Sequence, residues 1–89
     1  MINTVTERQI DALLQEAEIQ VETKFDKVTV MLCKLKNGFV ITEASGAVDP
    51  ANYSEKIGVA VCMERIRNKL WELEGYCLQK QVFEKEQTV

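Results

Sequence analysis

Few residues in this chain could do chemistry. Its 89 residues include no histidine. That removes the commonest general base, the Ser–His and Cys–His nucleophile pairs, and most mixed Cys/His zinc sites. Three cysteines remain, Cys33, Cys62 and Cys77, with no Cys-x-x-Cys pair. A three-thiolate metal site would lack its fourth ligand, so neither a metal nor a cofactor is expected. Cys33 falls in a β-branched run and Cys62 in an apolar helical one, where burial disfavours the reactive thiolate. The acids are scattered, and no pair shares a predicted face with a nucleophile. Residue chemistry points to binding and away from an enzyme.

One constellation could meet an anion. Ser45-Gly46-Ala47 leads into a helix start at Asp49-Pro50. Free backbone N–H groups and the helix dipole favour negative charge there. Ser45 adds a hydroxyl, and Gly46 admits close approach to the backbone. Asp49 works against this, because its carboxylate fills the same cap. The glycine content is also far below that of a Walker or dinucleotide loop. As a strand-to-helix connection the segment needs no ligand at all. If a nucleotide binds, Arg65, Lys69 or Lys56 would supply charge, and Tyr53 or Trp71 a stacking surface. The ordinary reading of the charges after Arg65 is a solvated helix face, and of Trp71 a core or interface residue.

The elements that must position these residues follow from periodicity and punctuation. Thr4-Val5-Thr6-Glu7 has capping-box spacing, and Ile10, Leu13, Leu14 and Ala17 recur at helical intervals, so a short amphipathic helix is expected over 5–17. From Glu18 the period becomes two. Ile19, Val21, Thr23 and Phe25 alternate with polar residues, which predicts a half-buried strand. Asp26-Lys27 is the expected turn. A β-branched run over 28–35 is the second strand, Asn37-Gly38 the hairpin turn, and 39–44 the return strand. Asp49 then caps a helix with Pro50 in its first turn, expected to run over 50–74 and to stop at Gly75. Residues 76–83 read as an edge strand or a helical extension, and 84–89 as a frayed polar tail. The fold class is α+β: an antiparallel meander of three to four strands, packed by a short N-terminal helix and one long C-terminal helix in two layers. A single domain spanning 1–89 is expected.

The long helix also bears on assembly. Gly58-Val59-Ala60-Val61-Cys62-Met63 contains no polar side chain. A surface helix of a small monomer usually carries one apolar stripe. Either the first helix supplies a second contact within the chain, or another copy does. A homo-oligomer is the favoured expectation, with Ile57, Gly58, Val59, Ala60 and Met63 as its interface and Gly58 and Ala60 permitting close approach.

Charge narrows the partners. The net charge is −3. Residues 1–23 hold one base against five acids, while residues 24–69 hold eight bases against five acids. A uniform nucleic-acid surface is therefore disfavoured, and the middle of the chain is the only anion-facing candidate. No run approaches the roughly 20 apolar residues of a membrane span. The start of the chain has neither the basic residues nor the apolar stretch of a secretory signal.

The residues also carry a resemblance. Asn37-Gly38-Phe39, Ser45-Gly46-Ala47-Val48-Asp49-Pro50-Ala51-Asn52-Tyr53, Gly58, and Lys69-Leu70-Trp71-Glu72-Leu73-Glu74-Gly75-Tyr76 resemble a family of small phage and prophage proteins. That family is described after gene product forty-nine of coliphage N-four and its Sf-six relative. The likeness spans residues 28–78. It implies a tailed-phage or prophage accessory protein acting in the bacterial cytoplasm. The family carries no established activity, so no catalytic residue transfers. The expected function is stoichiometric, non-enzymatic binding that sequesters or inhibits a host defence or takeover factor, either a protein or a small signalling nucleotide. The candidate ligand residues are Ser45, Gly46, Tyr53, Arg65, Lys69 and Trp71. The alternatives are a nucleic-acid-binding module and a virion or assembly component.

Overall fold

The computed structural model describes residues 3–87. Its order is α1 (Glu7–Gln15), β1 (Glu18–Lys24), β2 (Val28–Lys34), β3 (Val40–Gly46), a 3-10 turn at Pro50–Asn52, and α2 (Glu55–Gln87). The sheet is an antiparallel meander in the order β1-β2-β3. This is the expected α+β architecture, with three strands among the described residues.

The N-terminal cap lies two residues later than the Thr4–Glu7 spacing implied. Thr6 is the N-cap, and its hydroxyl accepts from the Gln9 N–H at 3.2 Å while the Gln9 side chain accepts from the Thr6 N–H at 2.7 Å. Thr-x-x-Gln closes a capping box as well as Thr-x-x-Glu does. The first hairpin also turns earlier than expected. Phe25 and Asp26, rather than Asp26-Lys27, are its central residues, both at positive φ (55° and 58°). Both pre-turn and return strands twist to the right, and a turn with two left-handed residues matches that twist. The second hairpin is as read: Gly38 takes φ 96°, and the Leu35 N–H donates to the Phe39 carbonyl at 2.8 Å.

Alternation along β2 separates the two faces. Thr29, Met31 and Cys33 are buried beneath the helices, whereas Val28, Val30 and Leu32 on the other face are only half-buried. The core joins Ile10 of α1, Met31 and Cys33 of β2, Leu35, Ile41 of β3, and Cys62, Ile66 and Leu70 of α2. Gly58, Cys62, Ile66 and Leu70 recur every fourth residue, so one stripe of α2 lies on the sheet.

The second helix departs from expectation at both ends. Asp49 does cap, accepting from the Ala51 N–H at 2.9 Å, but Pro50–Asn52 forms only a 3-10 turn. Tyr53 is extended (ψ 136°). The α-helix begins anew after Ser54, whose hydroxyl accepts from the Ile57 N–H at 3.3 Å. At the other end Gly75 does not stop α2, which continues to Gln87. Of the two readings of 76–83, the helical extension is the one adopted, and Glu84–Gln87 are helical too; residues 88 and 89 of the expected frayed tail lie outside the described residues. The left-handed conformation that makes glycine a stop signal is not adopted at Gly75. A mid-helix glycine only weakens a helix, by about 0.5–1 kcal/mol relative to alanine. Nothing lies within 4 Å of a Cβ built at Gly75. Gly75→Ala is therefore expected to stabilise the protein by about that amount, raising the urea midpoint without changing the slope.

The 33-residue α2 is about 50 Å long at 1.5 Å per residue. It outruns the sheet and gives the molecule extents of 60 × 21 × 19 Å. The radius of gyration is 16.5 Å, against about 12 Å for a compact chain of this length.

Candidate functional site

The motif between β3 and α2 builds a hollow at the head of the long helix. Its volume is about 200 Å³, and its walls include Ser45, Gly46, Tyr53, Ser54, Ile57 and Gly58. Ser45 arrives there because it is the penultimate residue of β3, paired with Thr29. Tyr53 arrives because the 3-10 turn reverses the chain over the sheet. Three of the six sequence-predicted ligand residues, Ser45, Gly46 and Tyr53, are thus brought together.

Tyr53 has a structural duty that its position in the sequence does not advertise. Its hydroxyl lies 2.7 Å from the Thr29 Oγ1 and 2.9 Å from the Thr23 Oγ1. This small hydroxyl chain ties the head of α2 to two adjacent strands. It also satisfies Thr29, the one polar residue fully buried among the described residues, which would otherwise carry a desolvation cost. Gly58 packs directly on Thr29: a Cβ there would lie 2.7 Å from the Thr29 Cβ. The close approach anticipated for Gly58 is thus made to this chain's own sheet.

The remaining predicted residues are dispersed. Arg65 lies about three turns into α2, where its guanidinium donates to the Ala44 carbonyl at 2.7 Å. Lys69 follows one turn further on and is exposed. Trp71 is half-buried against the core, about 120° round the helix from Arg65 at 3.6 residues per turn, and does not reach the hollow. Of the expected interface residues, Val59 and Met63 pack against the core cluster of the same chain. Ile57, at 66% exposure, and Ala60 face outward.

Sequence reasoning missed two exposed apolar side chains at this end of the molecule. Phe25 is 86% exposed and Val48 96% exposed. The Lys27 ammonium donates to the Val48 carbonyl at 3.4 Å, and the Ala47 N–H donates to the Lys27 carbonyl at 2.9 Å. The tip of the first hairpin is thereby joined to the loop that lines the hollow. Phe25, Val48 and Ile57 stand at one end of the molecule. Phe25 is also held at a left-handed φ, which costs a non-glycine residue about 1–2 kcal/mol. The available signal was the termination of an alternating strand by a bulky apolar residue with no core position left for it.

A larger cleft, of about 670 Å³, runs along the distal part of α2 between Asn3, Leu78 and Val82. It gathers none of the motif residues.

The pattern of the folded chain is matched over most of its length. A family model for the phage protein (N4 Gp49/phage Sf6 gene 66) family covers residues 5–82. The chain belongs to this family. The match takes in α1 and most of distal α2, so it is wider than the 28–78 likeness carried by the motifs. No curated protein and no solved structure matches the chain. Within the family frame, Asn37-Gly38, Asp49-Pro50, Tyr53 and Gly58 all have structural duties, whereas the side chains of Phe25 and Val48 are left in solvent.

The cysteines do not line the hollow. Cys33 and Cys62 are buried, and burial pushes both thiols up from their ordinary value. For Cys62 the Glu43 carboxylate adds to this, and the Arg65 guanidinium opposes it. A raised thiol pKa keeps the unreactive protonated form through neutral pH. Cys77 is exposed. A disulfide exchange reagent at neutral pH is expected to modify one thiol per chain rapidly. The other two should react only on unfolding, and Cys77→Ser should abolish the fast phase.

Proposed function

We propose that this phage-family protein acts without catalysis, binding a host defence or takeover factor stoichiometrically in the bacterial cytoplasm and so keeping it from its target. The head of α2 is the contact surface. The observation that supports this reading is the exposure of Phe25, Val48 and Ile57 at the end of the molecule that holds the hollow. Large apolar side chains left together in water mark interaction sites on small soluble domains. Phe25 holds a strained backbone conformation while contributing little to the core, and such strain concentrates at functional positions.

The hollow alone is smaller than the roughly 300–1,000 Å³ of typical small-molecule pockets. A signalling nucleotide would therefore need a second copy of the chain to complete its site, with Arg65 and Lys69 supplying positive charge. A host protein would need only these exposed side chains. The protein purified from phage-infected cells and examined by native mass spectrometry distinguishes these, since it reports subunit number and any retained molecule together.

The matched variants are Phe25→Gly and Ile57→Ala. Phe25→Gly relieves the left-handed strain, so the melting temperature should rise by about 5 °C while partner retention falls. Ile57→Ala should weaken retention with little change in stability. A chain that retains nothing but binds DNA with a steep salt dependence would turn the assignment to the nucleic-acid class. Retention unaffected by either variant would remove these side chains from the reading.

A further inference from the structure

Two free edges bound the sheet, and they are treated differently. The hydrogen-bonding direction of every strand residue follows from the ladder. Leu35 N–H donates to Phe39, and Ala47 N–H to Lys27. Antiparallel ladders alternate bonded and non-bonded pairs. Thr29, Met31 and Cys33 therefore bond β3, and Val28, Val30, Leu32 and Lys34 bond β1. On β3 the outward groups belong to Val40, Thr42, Ala44 and Gly46. The Arg65 guanidinium occupies the Ala44 carbonyl at 2.7 Å, which places a bulky charged group across that edge. On β1 the outward groups are the N–H and C=O of Ile19, Val21 and Thr23. No described residue bonds any of them, and all seven residues of β1 are exposed.

We infer that β1 pairs antiparallel with β1 of a second copy of this chain, about a dyad through Val21, to make a continuous six-stranded sheet. This rests on the self-association reading above and gives it a surface. In that register Val21 faces Val21 of the partner subunit, and Ile19 faces the partner's Thr23. All the outward groups of both edges are satisfied at once. Glu18 falls opposite the partner's Lys24, and Gln20 opposite the partner's Glu22. These are non-bonded pairs, whose side chains approach most closely. The strand is charge-complementary to itself in this register. A shift of two residues in one direction sets Glu22 against the partner's Glu22; in the other it sets Glu18 against the partner's Glu22. A parallel in-register pair aligns Glu18 with Glu18. Like charges directly opposite destabilise a ladder.

The uncovered surface agrees. Ile19 and Val21 are 36% and 39% exposed on the helix-bearing face, and the dyad would bring the four side chains together.

Charge reversal tests the pairing. Equilibrium sedimentation would be run on the wild-type chain, Glu18→Lys, Lys24→Glu, and the double variant. The wild type is expected to dimerise. Each single variant converts two attractive pairs into repulsive ones and should raise the dimer Kd about tenfold. The double variant should return it to near the wild-type value. A second measurement does not depend on charge: Val21→Cys in a Cys77→Ser background should cross-link on mild oxidation, and Asn37→Cys at the other end of the sheet should not. A dimer indifferent to the single variants, or a double variant no tighter than either, overturns the β1 pairing and leaves self-association standing. A wild-type chain that stays monomeric at millimolar concentration overturns both and leaves the β1 edge to an extended segment of another protein.

Discussion

Gly58→Ala is expected to destabilise the protein by about 3 kcal/mol, the upper part of the overpacking range. The added methyl would point straight at Thr29, with its carbon 2.7 Å from the Thr29 Cβ. Real carbon contacts do not close to that distance, so something must move. Thr29 cannot swing aside. It is fully buried, sits in the central strand paired on both sides with β1 and β3, and is β-branched, which stiffens its χ1. Its hydroxyl also holds Tyr53 at 2.7 Å. Lifting α2 away would stretch that hydrogen bond and open the packing around Cys62 one turn further on. The expected signature in urea is a lower midpoint with an unchanged slope, because the exposed area on unfolding is the same. Thr29→Ala should rescue Gly58→Ala only in part, since the conflict includes the Thr29 Cβ itself. A loss below about 1 kcal/mol in Gly58→Ala would show that the helix does not sit this close to the sheet.

This contact also marks how far the sequence could be read. The central hairpin was legible because Asn37-Gly38 states its own backbone requirement, and Asp49 was legible because a short carboxylate before proline has one obvious local use. Gly58 was read as small, which is right, but smallness does not name the neighbour; Thr29 lies 29 positions away in the chain. Gly75 was misread for a related reason. Glycine permits a stop without enforcing one, and the periodic helix formers on either side of it carried α2 through. Phe25 shows the opposite limit. A bulky residue gives no hint that it will occupy a left-handed turn; only the register of β1 on β2, where Lys24 faces Val28, forces it there. In the candidate site, Ser45, Gly46 and Tyr53 were found because they are contiguous in sequence with the helix start. Trp71, read first as a core or interface residue and second as a stacking surface, packs against the core, because a helix angle, not a sequence distance, sets which side it faces. The β1 edge could be inferred only once the ladder fixed which backbone groups point outward.

Ile66→Ala is the other large effect, expected to cost about 2–5 kcal/mol. Ile66 is fully buried at the middle of the stripe that α2 lays on the sheet. It belongs to the cluster where α1 contributes Ile10, β2 contributes Met31 and Cys33, and β3 contributes Ile41. Every element except β1 therefore meets near this side chain, and no exposed surface can collapse inward to fill the space it leaves. The cavity cost adds to the lost transfer free energy. A chain of this length has a total stability of about 4–13 kcal/mol at typical values per residue, so one truncation removes a large share. Ile57→Ala is the control: the same chemistry at 66% exposure should change stability by about 0.5 kcal/mol or less. Thermal melts followed by far-ultraviolet circular dichroism would separate the two. Distal α2 adds a second readout. Because residues beyond Leu73 make few contacts with the core cluster, their amide hydrogens should exchange fast in the wild-type protein and change little in Ile66→Ala, whereas the β2 amides should lose their protection. Equal loss of protection along the whole of α2 would mean that the helix is held by something other than this core. That result would favour burial of its distal half against a partner over the free projection that the isolated chain displays.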